Sequence, residues 1–225
     1  MIKAVIFDLD GTLLDTGKGV VKSVKYTIQQ MKLPSLSQSE LETFVGPPIK
    51  NKLQQTFNLT EEQAVEGMNI FRNHYGKEDI YIAEPYAAIE DLLGLLKRDG
   101  FKLGVATYKR EDQAIKLLEK MQIADFFEVI HGADPDGKMS KADVINKSLL
   151  DLDCIPEEAV MVGDSDNDAV GAETARMHFL GVTYGYGFKS EVDVAKHVNI
   201  GCVADCLSVR SHINTFNESK MLNMC

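Results

Sequence analysis

The chain has 225 residues, 44% of them hydrophobic and 26% charged, the proportions of an ordinary globular protein with room for one large domain or two modest ones. Its formal net charge of −10 argues against non-specific affinity for nucleic acid or for an anionic membrane surface. A phosphorylated ligand stays open, because a metal or lysine can invert the sign inside a pocket.

The opening stretch Ala4-Val5-Ile6-Phe7-Asp8-Leu9-Asp10-Gly11-Thr12 organises the rest. Its unbroken apolar run reads as a strand buried on both faces of a parallel sheet. Charges cannot enter such a core unpaired, so Asp8 belongs where the strand emerges at its carboxyl end. Asp8 and Asp10, two apart in extended chain, face the same way and repel each other, and a divalent metal between them answers that repulsion. With the buried strand expected to start at Ile2, no signal peptide is expected, and no apolar run approaches the roughly 20 residues that span a bilayer. A cytoplasmic location is the expectation.

A helix follows, with Val20, Val21, Val24, Ile28 and Met31 on one face, Asp15 or Thr16 as N-cap and Pro34 beyond its end. Ser37 to Glu40 is a capping box that opens a short helix through Val45. Gly46-Pro47-Pro48 interrupts, Ile49 to Phe57 reads as a helix, and Thr60 to Gln63 caps another through Tyr75. Nothing here reads as a strand. After an extended link from Ile80 to Pro85, the pattern alternates. Helices are expected from Ala87 to Arg98, around Ile115 to Met121, from Lys141 to Leu150, across Ala169 to Thr174 and from Val203 to Ile213. Strands are expected from Lys102 to Thr107, Glu128 to His131, Ala159 to Val162 and Phe179 to Thr183. The polar tail from Asn214 is expected to fray. Alternation of this kind indicates an α/β fold, a doubly wound, Rossmann-like parallel sheet. Connections in such folds are short, so a small all-helical domain is expected as an insertion at 16–82, with the core comprising 1–15 and 83–225.

Chemistry gathers at the strand ends, where open α/β sheets bind ligands. Thr107 closes one strand and Gly163-Asp164 another, followed by Ser165, Asp166, Asn167 and Asp168, while Lys138 and Lys141 lie between them. A carboxylate nucleophile, a second carboxylate, a hydroxyl and an ammonium are what phosphoryl transfer needs. Asp8 as nucleophile divides the hydrolysis into formation and breakdown of an aspartyl phosphate, with Asp10 moving the proton. The cysteines Cys154, Cys202, Cys206 and Cys225 read as buried thiols, with Cys202 and Cys206 at the spacing of a helical turn. The five histidines do not cluster in sequence and read as packing or surface residues, and Asp166 reads as solvated.

Asp8-Leu9-Asp10-Gly11-Thr12, Thr107, a downstream lysine, and Gly163-Asp164 with Asp168 resemble, in order and spacing, the signature motifs of the haloacid dehalogenase superfamily. The helical insertion resembles that family's cap. Gly46-Pro47-Pro48 and Tyr184-Gly185-Tyr186-Gly187 are similar to segments of its phosphoglycolate-phosphatase-like members. The resemblance implies Asp8 as nucleophile and Asp10 as general acid/base. It implies Gly11, Thr107, Tyr108 and Lys141 around the phosphoryl group, with Tyr108 standing where small residues or Asn are commoner. Lys141 heads a helix and suits the lysine motif better than Lys138. Mg²⁺ would be held by Asp8, the Asp10 carbonyl and Asp164, with Asp168 supporting the lysine or a metal-bound water. Gly46 and Pro47 either face the substrate or simply break a helix.

The expected activity is Mg²⁺-dependent hydrolysis of a small phosphomonoester, such as phosphoglycolate, a sugar phosphate or a nucleotide. The partner is then a small phosphorylated metabolite, with no nucleic acid polymer and no membrane, and the default assembly is a monomer, with a dimer open. A phosphosugar mutase on the same scaffold is the first alternative. A non-enzymatic phospho-acceptor of the receiver type is another, although it has no use for a helical insertion after the first strand.

Overall fold

The computed structural model describes residues 1–222, so Cys225 lies outside the described residues. The elements are β1 (Ala4–Phe7), β2 (Leu14–Asp15), α1 (Gly17–Gln30), α2 (Gln38–Glu42), α3 (Ile49–Phe57), α4 (Glu61–His74), β3 (Glu84–Pro85) and α5 (Ile89–Arg98). They continue with β4 (Lys102–Arg110), α6 (Glu111–Lys120), β5 (Val129–Ala133), α7 (Lys141–Asp151), β6 (Ala159–Gly163), α8 (Asp166–Thr174), β7 (His178–Val182), α9 (Glu191–Val194), β8 (Gly201–Val203) and α10 (Leu207–Leu222).

Six strands form one parallel sheet in the order β5-β4-β1-β6-β7-β8. Strand parity sorts the side chains onto two faces. Val5, Phe7, Leu103, Val105, Val160 and Val162 join one apolar cluster. Ala4, Ile6, Ala106, Ala159 and Met161 join the other. Both faces are covered by helices, which is why these strands read as continuous apolar runs rather than alternating ones. The chain leaves β1 for β4 and β5 on one side, then returns to β6 on the other. The switch of direction lies at β1, and Asp8 is the next residue after its end.

Between β2 and β3 the chain builds the helical cap from α1 to α4, ended by a π-helical turn at Tyr75–Asp79. Leu14 pairs with Pro85 and Asp15 with Glu84, so the two short strands clasp the points where the cap leaves and rejoins the sheet. The capping boxes at Ser37 and Thr60 form as expected. At the first helix Thr16 holds the N-cap position, but its hydroxyl makes no capping bond and donates instead to Asp10.

Several sequence expectations need correction. The tail from Asn214 does not fray among the described residues. It continues α10 to Leu222, because Ile213 is buried and the Asn217 amide both accepts from Ile2 N at 2.7 Å and donates to Ile2 O at 3.1 Å. Arg210 adds a two-pronged bond to Asp99 at 2.7 and 3.0 Å. Helix α10 begins at Leu207 rather than Val203, since Gly201–Val203 pairs with β7 as the edge strand. Cys202 therefore sits on that strand, not one helical turn from Cys206. Cys206 is buried, whereas Cys154 and Cys202 are partly exposed. Helix α5 starts at Ile89 because Ala88 takes a left-handed φ of 64°. Helix α8 starts three residues before the expected Ala169, through a capping box between Ser165 and Asp168.

Candidate active site

The site is assembled at the carboxyl side of the sheet, just past the ends of β1 and β6 and beside Thr107 on β4. Asp8, Thr107, Lys141, Asp164 and Asp168 are all buried, although none is apolar. Burying charge is costly unless it is paired and hydrogen-bonded, and here each charge has partners. Lys141 Nζ lies 2.6 Å from Asp8 Oδ1 and 2.6 Å from Asp168 Oδ1. Asp168 Oδ2 accepts from Ser165 N at 3.1 Å and from Ser165 Oγ at 2.6 Å, so Asp168 caps α8 with one oxygen and holds the lysine with the other. The Lys141 main-chain N–H donates to Tyr108 Oη at 3.0 Å, which anchors the head of α7 to the end of β4. Lys138 lies elsewhere, exposed and paired with Asp136 at 3.0 Å.

Asp164 is oriented by backbone. Tyr186 N and Gly187 N donate to its Oδ2 at 2.7 and 3.0 Å, and Thr12 Oγ1 donates to Oδ1 at 3.4 Å. The loop that carries Tyr186 is tied to the root of the cap, since Tyr186 Oη bonds Asp15 and accepts from Gly17 N at 2.7 Å. Space around Asp164 is tight. Gly11 has a φ of +87°, and a Cβ there would lie 2.5 Å from Asp164 Oδ2. Gly11 thus has two reasons to be glycine.

The electrostatics follow from burial. Removal from water pushes the Asp164 carboxyl up to about 6, with Asp168 adding to the rise and the two N–H donors opposing it. Burial also raises the Asp8 carboxyl well above its ordinary range, Lys141 pulls it back, and the other acidic groups add to the rise. Burial disfavours the charge on Lys141, but the carboxylates of Asp168 and Asp8 outweigh it and hold the ammonium firmly protonated.

Asp8, Asp164 and Asp168 each offer an oxygen within 4.8 Å of the others. An all-oxygen, multiply anionic donor set suits a hard divalent cation. Asp168 is the least available of the three, because the Lys141 ammonium holds one oxygen at 2.6 Å and Ser165 holds the other, whereas Asp164 Oδ1 carries only the long 3.4 Å bond from Thr12. The fit to a cation therefore rests on Asp8 and Asp164. The Asp10 carboxylate is engaged elsewhere, with Thr16 and with Lys109, whose Nζ is 3.0 Å away.

Sequence reading missed Lys109. The strand expected at Lys102 to Thr107 stops short of it, yet β4 runs on to Arg110 and the Lys109 side chain is only 5% exposed. The available signal was the two-residue spacing from Thr107, which repeats that of Asp8 and Asp10. Lys109 N also donates to Thr107 Oγ1 at 3.2 Å. A cavity of about 500 Å³ opens beside Asp10 and Lys109, between cap and sheet. Gly46 and Pro47 line it, as do Arg72, Tyr108 and Lys138. Asp166 is exposed and meets His197 at 2.7 Å. His131 lies between Glu111 and Asp151, outside the cavity lining.

Residues 5–182 match the family described as haloacid dehalogenase-like hydrolase. A 5'-nucleotidase from Pseudomonas aeruginosa is 30% identical over 207 residues, covering 92% of this chain and 93% of that one. A phosphoglycolate phosphatase from Neisseria meningitidis is 33% identical over 199 residues, 83% of this chain and 82% of that one. The tyrosine-protein kinase PtkA of Mycobacterium tuberculosis is 37% identical over 191 residues, 84% of this chain but 65% of that one. In its solved structure the match extends over 93% of this chain and 97% of that one, with a TM-score of 0.80 at 32% identity.

Proposed function

The chain belongs to the haloacid dehalogenase-like hydrolases, and from that premise we propose that it is a Mg²⁺-dependent phosphatase of a small phosphomonoester, with Asp8 as nucleophile. The observation that carries this reading is the buried Lys141 ammonium bridging Asp8 and Asp168 at the strand ends, beside Asp164. Such an arrangement offers a nucleophile, an anion hold and a cation site within one small space. The named activities of the nucleotidase and phosphoglycolate phosphatase relatives favour a small phosphorylated metabolite.

Asp8 and Asp164, with the Asp10 main-chain carbonyl, would hold the metal. When bound, a divalent cation neutralises these carboxylates and draws charge from the phosphoryl oxygens. An Asp8 oxygen forms a bond to phosphorus as the bond to the leaving oxygen breaks, and Asp10 gives that oxygen its proton. Water then attacks the phosphorus of the aspartyl phosphate, the bond to Asp8 breaks, and Asp10 takes the water's proton as inorganic phosphate forms. The Thr107 hydroxyl and the Lys141 ammonium steady the transferring group, with Gly11 and Tyr108 as its neighbours. Asp168 keeps Lys141 in place. Residues 16–82 act as the cap over the core of 1–15 and 83–225, excluding water during the first half and contacting the leaving group through Gly46 and Pro47.

The deciding experiment is phosphate release from a panel of phosphometabolites, with Mg²⁺ and with chelator, beside an Asp8→Asn control. Mg²⁺-dependent release that vanishes in Asp8→Asn is expected. No release from any ester would refute the phosphatase reading. Release to water, rather than transfer to protein tyrosine, separates this reading from the activity named for PtkA.

A further inference from the structure

The end of α4 and the π-helical turn after it meet the core at α6, at the loop after β5 and at the end of β4. There Gln113 Nε2 donates to Arg72 O at 3.0 Å, and the Arg72 guanidinium bonds Pro135 O. The approach at Gly76 is close enough that a Cβ would lie 2.5 Å from Gln113 Nε2. In the same contact, Lys109 Nζ donates to Tyr75 Oη at 3.1 Å and lies 4.6 Å from the centre of the Tyr75 ring. Tyr75 opens the π-helical turn that ends the cap, and it is 1% exposed.

Lys109 therefore has one hand on the cap and the other on Asp10, at 3.0 Å. The same Asp10 oxygen accepts from Thr16, at the point where the cap leaves the sheet. A desolvated ammonium needs partners on several sides, and the ring face of Tyr75 supplies attraction in addition to the hydroxyl. Were the cap to lift, Tyr75 would leave with it and water would take its place, so the ammonium would no longer be confined against Asp10.

We propose that Lys109 is a positioning residue that couples docking of the cap, through Tyr75, to the orientation of the Asp10 carboxylate. The site would then complete its proton donor only when the cap is closed over the ester. This rests on the reading of Asp10 as the acid that protonates the leaving group.

The test uses the leaving group itself. An alkyl phosphate needs a proton on its departing oxygen, whereas p-nitrophenolate departs without one. Lys109→Met is expected to lower kcat/KM for an alkyl phosphate at least about tenfold more than for p-nitrophenyl phosphate, because misplacing an acid costs only where the acid is used. Tyr75→Phe, which keeps the ring, is expected to show the same bias more weakly, and it carries the test if Lys109→Met does not fold. Equal losses on both esters, or no loss on either, would overturn the proposal. Hydrogen exchange of the metal-free protein adds a readout independent of turnover. Residues 71–80 should exchange faster in Lys109→Met than in the unaltered chain, and unchanged protection would also overturn the coupling. If the unaltered chain releases phosphate from no ester of the phosphometabolite panel, the phosphatase reading fails, and the exchange result alone decides whether Lys109 latches the cap.

Discussion

Lys141 Nζ stands 2.6 Å from Asp8 Oδ1, although 133 residues separate the two in sequence, and both side chains are withdrawn from water. A buried ammonium beside a buried carboxylate costs desolvation at both ends, and neither group tolerates loss of the other. Asp168 on the opposite side makes Lys141 the shared counter-charge of two acids.

Removing that counter-charge should be felt in both folding and turnover. Lys141→Met leaves Asp8 and Asp168 buried without it, and is expected to destabilise the metal-free protein by about 3 kcal/mol in urea titration. Phosphate release should fall at least about a hundredfold. A variant with full activity would remove Lys141 from the phosphoryl-binding role.

The pH dependence of stability follows from Asp164. Its folded pKa, about 6, lies above the unfolded value of 3.8, so the folded state binds the proton more tightly. The stability contributed by that group is fully present below the unfolded value and is lost as pH rises through about 6. Asp8 shifts in the same direction. The metal-free protein should therefore show a descending component of stability between about pH 4 and pH 6, flattened in Asp164→Asn. Mg²⁺ binds the ionised acids and should raise Tm more at pH 7.5 than at pH 5. Equal Mg²⁺ shifts at both values would contradict a site built on Asp8 and Asp164.

Gly11→Ala probes the same carboxylate by steric means. The new methyl would sit 2.5 Å from Asp164 Oδ2 on a backbone already at φ +87°. The left-handed backbone costs about 1–2 kcal/mol for any residue with a Cβ, and relief of the contact must displace Asp164 or the backbone. Calorimetric Mg²⁺ titration should show affinity at least about tenfold weaker. Unaltered affinity, with Asp164→Asn also binding as the unaltered chain does, would mean that Asp164 is not a ligand.

Asp168→Asn keeps the shape of the side chain and removes the charge that faces Lys141. Activity is expected to fall about 10–100-fold, mostly in kcat, since the lysine loses its support without losing its place in the chain. The Ser165 capping box should persist, because an amide oxygen can still accept from Ser165 N. A melting temperature near that of the unaltered protein, measured beside the kinetics, would confirm that the loss is local.

Local sequence was enough for the parts of this protein whose physics is local. The run from Ala4 to Phe7 had to be a doubly buried strand, and the capping boxes at Ser37 and Thr60 had to begin helices. The helical insertion after the first strand was legible because no short connection accounts for its length. Tertiary structure decided the rest, by bringing together groups whose separation in sequence carries no distance. It set Lys141, not Lys138, against Asp8. It extended β4 past Thr107, which turned Lys109 from an apparent loop residue into a buried partner of Asp10 and Tyr75. It made a helix of the polar tail, because Asn217 meets the backbone of Ile2 across 215 residues. A polar residue does not announce in sequence whether water or another buried group will be its partner, and that choice is made only when the elements pack.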